Sequence, residues 1–124
     1  MFSGTRVAFI GSGAMAEAMM SGMLAQQLIE PQDIVAAGPR EERGAALRDK
    51  YAITATTDNL SAIEGAGVVV LSVKPQVLPV VMQELNGRLV PEMLALSIIA
   101  GARMETIIKG LHHFAVVRSM PNTP

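Results

Sequence analysis

"RVAFIGSGAMAEAM", Arg6–Met19, decides how the rest of the chain is read. Val7 to Ile10 is a short apolar run with β-branched residues at each end, the composition of a buried strand. From Gly13 to about Gln27 the residues favour helix. Between them stands Gly11-Ser12-Gly13, which with Ala16 makes a G-x-G-x-x-A spacing. Each small residue has its own physical role. Gly11 permits the tight strand-to-helix turn, Gly13 leaves room for a pyrophosphate to approach the backbone, and Ala16 lets helix and strand pack closely. The free N–H groups and positive dipole end of the helix then attract phosphate charge. On this reading Gly11, Ser12, Gly13, Ala14 and Met15 form the phosphate turn.

The strand-then-helix alternation continues outward from that stretch. Further strands are expected at Asp33–Ala37, Ile53–Thr57, Gly67–Val73, Leu94–Ile99 and Phe114–Arg118. Helices are expected over Arg40–Tyr51, after an N-cap at Asp58, from Pro75 through Leu85 to a stop at Asn86-Gly87, and over Met104–Leu111. Pro79 falls in a first helical turn, where its missing N–H costs little. Short joins between strand and helix call for a parallel sheet with right-handed crossovers. Runs such as "GVVVLSV", apolar without alternation, are those of strands buried on both faces. The expectation is one α/β domain over residues 1–124, a Rossmann-type doubly wound parallel sheet of about six strands with helices on both faces.

Composition closes off several other classes. Half of the residues are hydrophobic and the formal net charge is −1, so a core is affordable and no global attraction to nucleic acid or anionic membrane exists. There is no cysteine, which excludes disulfides, cysteine-based zinc sites and thiol nucleophiles. No apolar run reaches the ~18 residues of a membrane span. A cytoplasmic location is the default expectation. Four of the nine methionines, Met15, Met19, Met20 and Met23, fall in the first helix and read as core filling. His112-His113 precedes the sixth strand, at the sheet end opposite the expected site, and neighbouring residues on an extended chain point apart, so no metal site is expected there.

Ligands of such sheets lie outside the carboxyl ends of the strands. A dinucleotide site selective for NAD carries Asp or Glu at the end of strand two, about 20 residues after the Gly-rich turn. Here strand two ends Ala36-Ala37-Gly38-Pro39-Arg40, with no acid at its tip. Arg40 offers a fork of donors to a 2′-phosphate, so NADP(H) is the preferred cofactor, with NAD(H) second. Arg43 is an alternative second contact, but is expected one turn on, on the solvated face. Strand four ends Ser72-Val73-Lys74-Pro75; its compact residues leave room for a flat ring, Lys74 is a lone cation, and Pro75 is expected to start the next helix. Strand five ends in the small pair Ala100-Gly101, and strand six runs into Pro121-Asn122-Thr123-Pro124. No catalytic acid or base is identified, and none is demanded where a cofactor carries the reactive chemistry.

Taken in order, "FIGSGAMAEAM" (Phe9–Met19), "TTDN" (Thr56–Asn59), "VKPQ" (Val73–Gln76), "SIIAG" (Ser97–Gly101) and "RSMPNTP" (Arg118–Pro124) resemble the N-terminal domain of pyrroline-5-carboxylate reductases over essentially the whole chain. The resemblance implies NAD(P)H-dependent reduction of the C=N bond of Δ1-pyrroline-5-carboxylate, a small-molecule substrate, to L-proline. It implies that Gly11 to Met15 hold the pyrophosphate and Gly38 to Arg40 the adenosine ribose and its 2′-phosphate, with Asn59 near the adenosine. Ser72, Val73, Lys74 and Pro75 border the nicotinamide and its ribose, beside Ala100 and Gly101, and Asn122 and Thr123 lie towards the substrate side. It further implies a second, all-helical domain after strand six that makes a homo-oligomer and supplies most substrate contacts, so that Pro124 falls at a domain seam. Met15 and Ser72 stand where that family more often has Asn, Gln or Leu, and Ala. Two other readings fit the generic part of the pattern. One is the cofactor half of another imine or β-hydroxyacid reductase, and the other is a nucleotide-binding module without catalysis.

Overall fold

The fold is taken from a computed structural model, which describes residues 4–119. Asn122 and Thr123, expected on the substrate side, lie outside the described residues. The elements follow in the order β1 (Arg6–Ile10), α1 (Ala14–Ala25), β2 (Ile34–Ala37), α2 (Glu41–Tyr51), β3 (Thr54–Thr56), α3 (Asn59–Ile63), β4 (Ala66–Leu71), α4 (Leu78–Leu85), β5 (Leu94–Ser97), α5 (Met104–Leu111) and β6 (Val116–Arg118). A 3-10 turn at Pro31–Asp33 leads into β2. All six strands pair in parallel in the spatial order β3-β2-β1-β4-β5-β6. The chain builds outward from β1 in one direction, then returns to the other side of β1 to build β4 to β6. That reversal places a topological switch point between β1 and β4.

Period-two alternation sorts the strand residues onto two faces. Val7, Phe9, Ile34, Ala36 and Val70 pack with Ala16 and Met20 of α1 and Leu47 of α2. Ala8, Ile10, Val35, Ala37, Val69 and Leu71 pack on the other side with α3, α4 and α5. Both faces are therefore covered at the centre of the sheet, which is why β1, β2 and β4 are apolar without alternation. Met20 is fully buried, and Met19 and Met23 pack against the same cluster, so the methionine segment fills core.

Asp58 caps α3 as its position suggests, its carboxylate accepting from the Leu60 N–H at 3.1 Å. Several element ends differ from the sequence reading, three of them beside the expected ligand edge. Strand β4 stops at Leu71, so Ser72 and Val73 already belong to the exit turn. Pro75 does not start a helix: Lys74 to Val77 forms a turn, closed by Val77 N–H to Lys74 C=O at 2.9 Å, and α4 begins at Leu78. Strand β5 stops at Ser97, whose buried hydroxyl accepts from the Ile99 N–H at 3.2 Å and so diverts the backbone from the ladder. Among the described residues no helix is long and apolar enough to cross a membrane.

Helix α4 tests the packing. Leu85 is fully buried between α4 and the sheet, whereas Val80 on the same helix is 59% exposed. Leu85→Ala should lower unfolding free energy by about 2–5 kcal/mol through lost burial and a residual cavity. Val80→Ala should stay within ~0.5 kcal/mol. Urea unfolding followed by circular dichroism reads both.

Candidate functional site

The switch point is closed by backbone contacts. Gly11 N–H donates to Ala37 C=O at 2.9 Å, and Ser72 N–H donates to Ile10 C=O at 2.9 Å. The Ser72 hydroxyl donates to the Gly11 carbonyl at 2.7 Å, so the exits of β1 and β4 are tied side by side. Gly11 has φ +105, and a Cβ there would lie 2.6–2.7 Å from the Ser72-Val73 peptide. Its glycine is required by the protein's own backbone.

Gly13 differs in kind. It is the N-cap of α1 in extended conformation, with nothing within 4 Å of the position a Cβ would take. No internal packing or strain demands glycine at this point. The space is open to a ligand that closely approaches the backbone, and the free N–H groups at the start of α1 are donors for an anion. The residues present thus fit a dinucleotide pyrophosphate. Gly38 permits a further close approach: a Cβ would lie 2.5 Å from the Ser12 hydroxyl, so β2 and the Gly-rich turn pack directly together.

Two cavities meet at Ser12 and Arg40, which line both. The larger, about 780 Å³, gathers Gly11, Gly13 and Ala14 of the turn with Ser72, Val73 and Lys74 from the β4 exit. The smaller, about 280 Å³, is mostly polar and is lined by Gly38, Glu41, Arg48, Thr56 and Thr57 among others. Gly11 to Ala14, Gly38 to Arg40, Arg43 and Ser72 to Lys74, all singled out from the sequence, therefore line one continuous cleft. Met15, Pro75, Ala100 and Gly101 line neither cavity, although they lie at the same edge of the sheet. Asn59, at the start of α3, also lies outside both, and its amide donates to Glu84 Oε1 of α4 at 3.1 Å. His113 lies at the opposite end, its ring Nε2 2.7 Å from the Met93 carbonyl.

The sequence reading missed Glu17 and misplaced Arg43. Arg43 is not on the solvated face: its Nε donates to the Ser12 carbonyl at 2.7 Å and its Nη2 to Glu17 Oε1 at 2.8 Å. The second Glu17 oxygen accepts from the Tyr51 hydroxyl at 2.6 Å and from Lys50 Nζ at 3.0 Å. These hydrogen bonds, Tyr51 first, then Lys50 and Arg43, pull the Glu17 carboxyl from its ordinary 4.5 down to about 2. Lys50 is raised in turn, chiefly by Glu17. The side chains of Arg40 and Arg48, by contrast, have no hydrogen-bond or ion-pair partner among the described residues.

Because the Glu17 pKa is depressed in the folded state, its stabilising contribution is complete above pH 4.5. It fades as pH falls towards 2. Glu17→Gln should therefore lower the urea midpoint at neutral pH and flatten the decline between pH 4.5 and 2. Urea midpoints of both proteins across that range read the difference.

Comparison with known proteins gives the same architecture. Residues 6–101 match the family described as NADP oxidoreductase, coenzyme F420-dependent. A pyrroline-5-carboxylate reductase of Synechocystis sp. is 36% identical over 119 residues, spanning 96% of this chain and 44% of that protein. The structure of a pyrroline-5-carboxylate reductase from Coxiella burnetii matches with a TM-score of 0.91 at 32% identity, covering 98% of this chain and 45% of that one. Pyrroline carboxylate reductase of Plasmodium falciparum, solved with NADP bound, shares the fold at 19% identity and a TM-score of 0.74, over 86% of this chain and 38% of that one. The chain spans a little under half the length of these relatives. With residues 6–101 matched, it belongs to the NADP oxidoreductase, coenzyme F420-dependent, family, and it is similar along its length to the N-terminal part of pyrroline-5-carboxylate reductases.

Proposed function

We propose that this chain is the cofactor-binding half of an NADPH-dependent pyrroline-5-carboxylate reductase. The observation that carries the reading is the open space at Gly13, at the start of α1 beside the β1–β4 switch point. It lies in a chain similar over 96% of its length to such a reductase. Gly13, Ala14 and Met15 hold the pyrophosphate with backbone N–H groups, and Arg40, exposed and with no side-chain partner among the described residues, takes the 2′-phosphate. Val73 and Lys74 border the nicotinamide end of the larger cavity. The bound cofactor supplies a hydride for the C=N carbon, and a proton on nitrogen completes the conversion to L-proline. The longer protein pairs with a second copy and works in the cytoplasm.

One feature favours NADH instead: Glu41 lines the same small cavity as Arg40 and offers a carboxylate to ribose hydroxyls. Titrations followed by nicotinamide fluorescence separate the two. NADPH should bind ~10-fold or more tightly than NADH, and Arg40→Ser should remove most of that preference while sparing NADH. Equal affinity for the two nucleotides sinks the NADPH assignment, and binding of neither sinks the cofactor reading. Turnover of pyrroline-5-carboxylate by the protein carrying this chain as its first half tests the substrate.

A further inference from the structure

The Gly-rich turn is held from outside as well as by its own sequence. Arg43 and Glu17 connect α2, α1 and the Ser12 carbonyl in one hydrogen-bonded line, ending at Tyr51 and Lys50. A planar trans peptide directs its C=O and N–H to opposite sides, and the described residues contain no cis bond. Pinning the Ser12 carbonyl on Arg43 therefore turns the Gly13 N–H away from α2. Gly13 is exposed, with open space where its side chain would be.

Resting on the NADPH reading, we propose that Arg43, oriented by Glu17, is a positioning residue for the pyrophosphate. It fixes the Ser12-Gly13 peptide so that the Gly13 N–H is already directed at the ligand, and it is not a 2′-phosphate ligand. Charge supports that division of labour. Glu17 remains ionised at neutral pH and pairs with both Arg43 and Lys50, and the Arg43 fork is already taken up by Glu17 and the Ser12 carbonyl, so its donors give the turn shape before they can attract an anion. Arg40, lining both cavities with no side-chain partner among the described residues, keeps its charge available. Preset donors lower the cost of ordering on binding, which is where the gain in affinity arises.

The test compares NADPH and NADH titrations of Arg43→Gln, Glu17→Gln and Arg40→Ser with the unsubstituted chain. Arg43→Gln should weaken both nucleotides by the same factor, about 10-fold, leaving their ratio unchanged. Glu17→Gln should act in the same direction by less. In ¹⁵N–¹H spectra of the unliganded chain, both variants should shift the Gly13 amide resonance. A loss confined to NADPH on Arg43→Gln makes Arg43 a 2′-phosphate ligand and overturns the proposal, as do unchanged affinities with an unmoved Gly13 resonance. No binding by the unsubstituted chain instead removes the cofactor reading, and the Gly13 resonance alone then decides whether the brace exists. If Arg43→Gln does not fold, Arg43→Lys serves, since an ammonium cannot reproduce the fork that spans both acceptors.

Discussion

The site depends on two chain segments lying closer together than side chains allow. Gly11 leaves β1 with its α-carbon against the Ser72-Val73 peptide, and Ser72 returns a backbone and a side-chain hydrogen bond to Ile10 and Gly11. This contact joins residues 61 and 62 positions apart and fixes where the two halves of the sheet meet. It also directs the start of α1 over the crevice and brings Val73 and Lys74 to its far wall. A serine at position 72 is well suited to the task. Its hydroxyl ties down the carbonyl of the very residue whose positive φ makes the turn possible.

Much of this was legible in the residues. The strand-helix alternation, the parallel sheet and the glycines of the turn follow from local patterns with few alternatives: a run such as Val7–Ile10 ending in glycine has little else to become. Strand ends were harder. Ser72 and Ile98 look like continuations of apolar strands, and only their hydrogen bonds to neighbours distant in sequence show where the ladder gives way to turns. The start of α4 was displaced for a related reason. Pro75 suits a first helical position, but Pro79 suits one equally well, and the helix takes the later start. Asn59 bonds to a glutamate 25 residues away, which no local pattern announces.

The two arginines after β2 show most clearly what sequence conveys and what it withholds. Arg40 and Arg43 are the same residue type three positions apart, and near a strand end either is a candidate for binding phosphate. Their difference lies in Glu17, a residue in another helix, 26 positions before Arg43. Glu17 lies in the first turn of α1, and its partners become visible only when α1 and α2 lie side by side on one face of the sheet. Once they do, three donors converge on one carboxylate and the identity of each arginine is settled by what already neutralises it. Both line the larger cavity, but one guanidinium is held by the turn and by Glu17, while no described side chain pairs with the other. The Gly-rich turn is in this way given a rigid frame, and the cleft keeps at its outer end a cation that no described side chain neutralises.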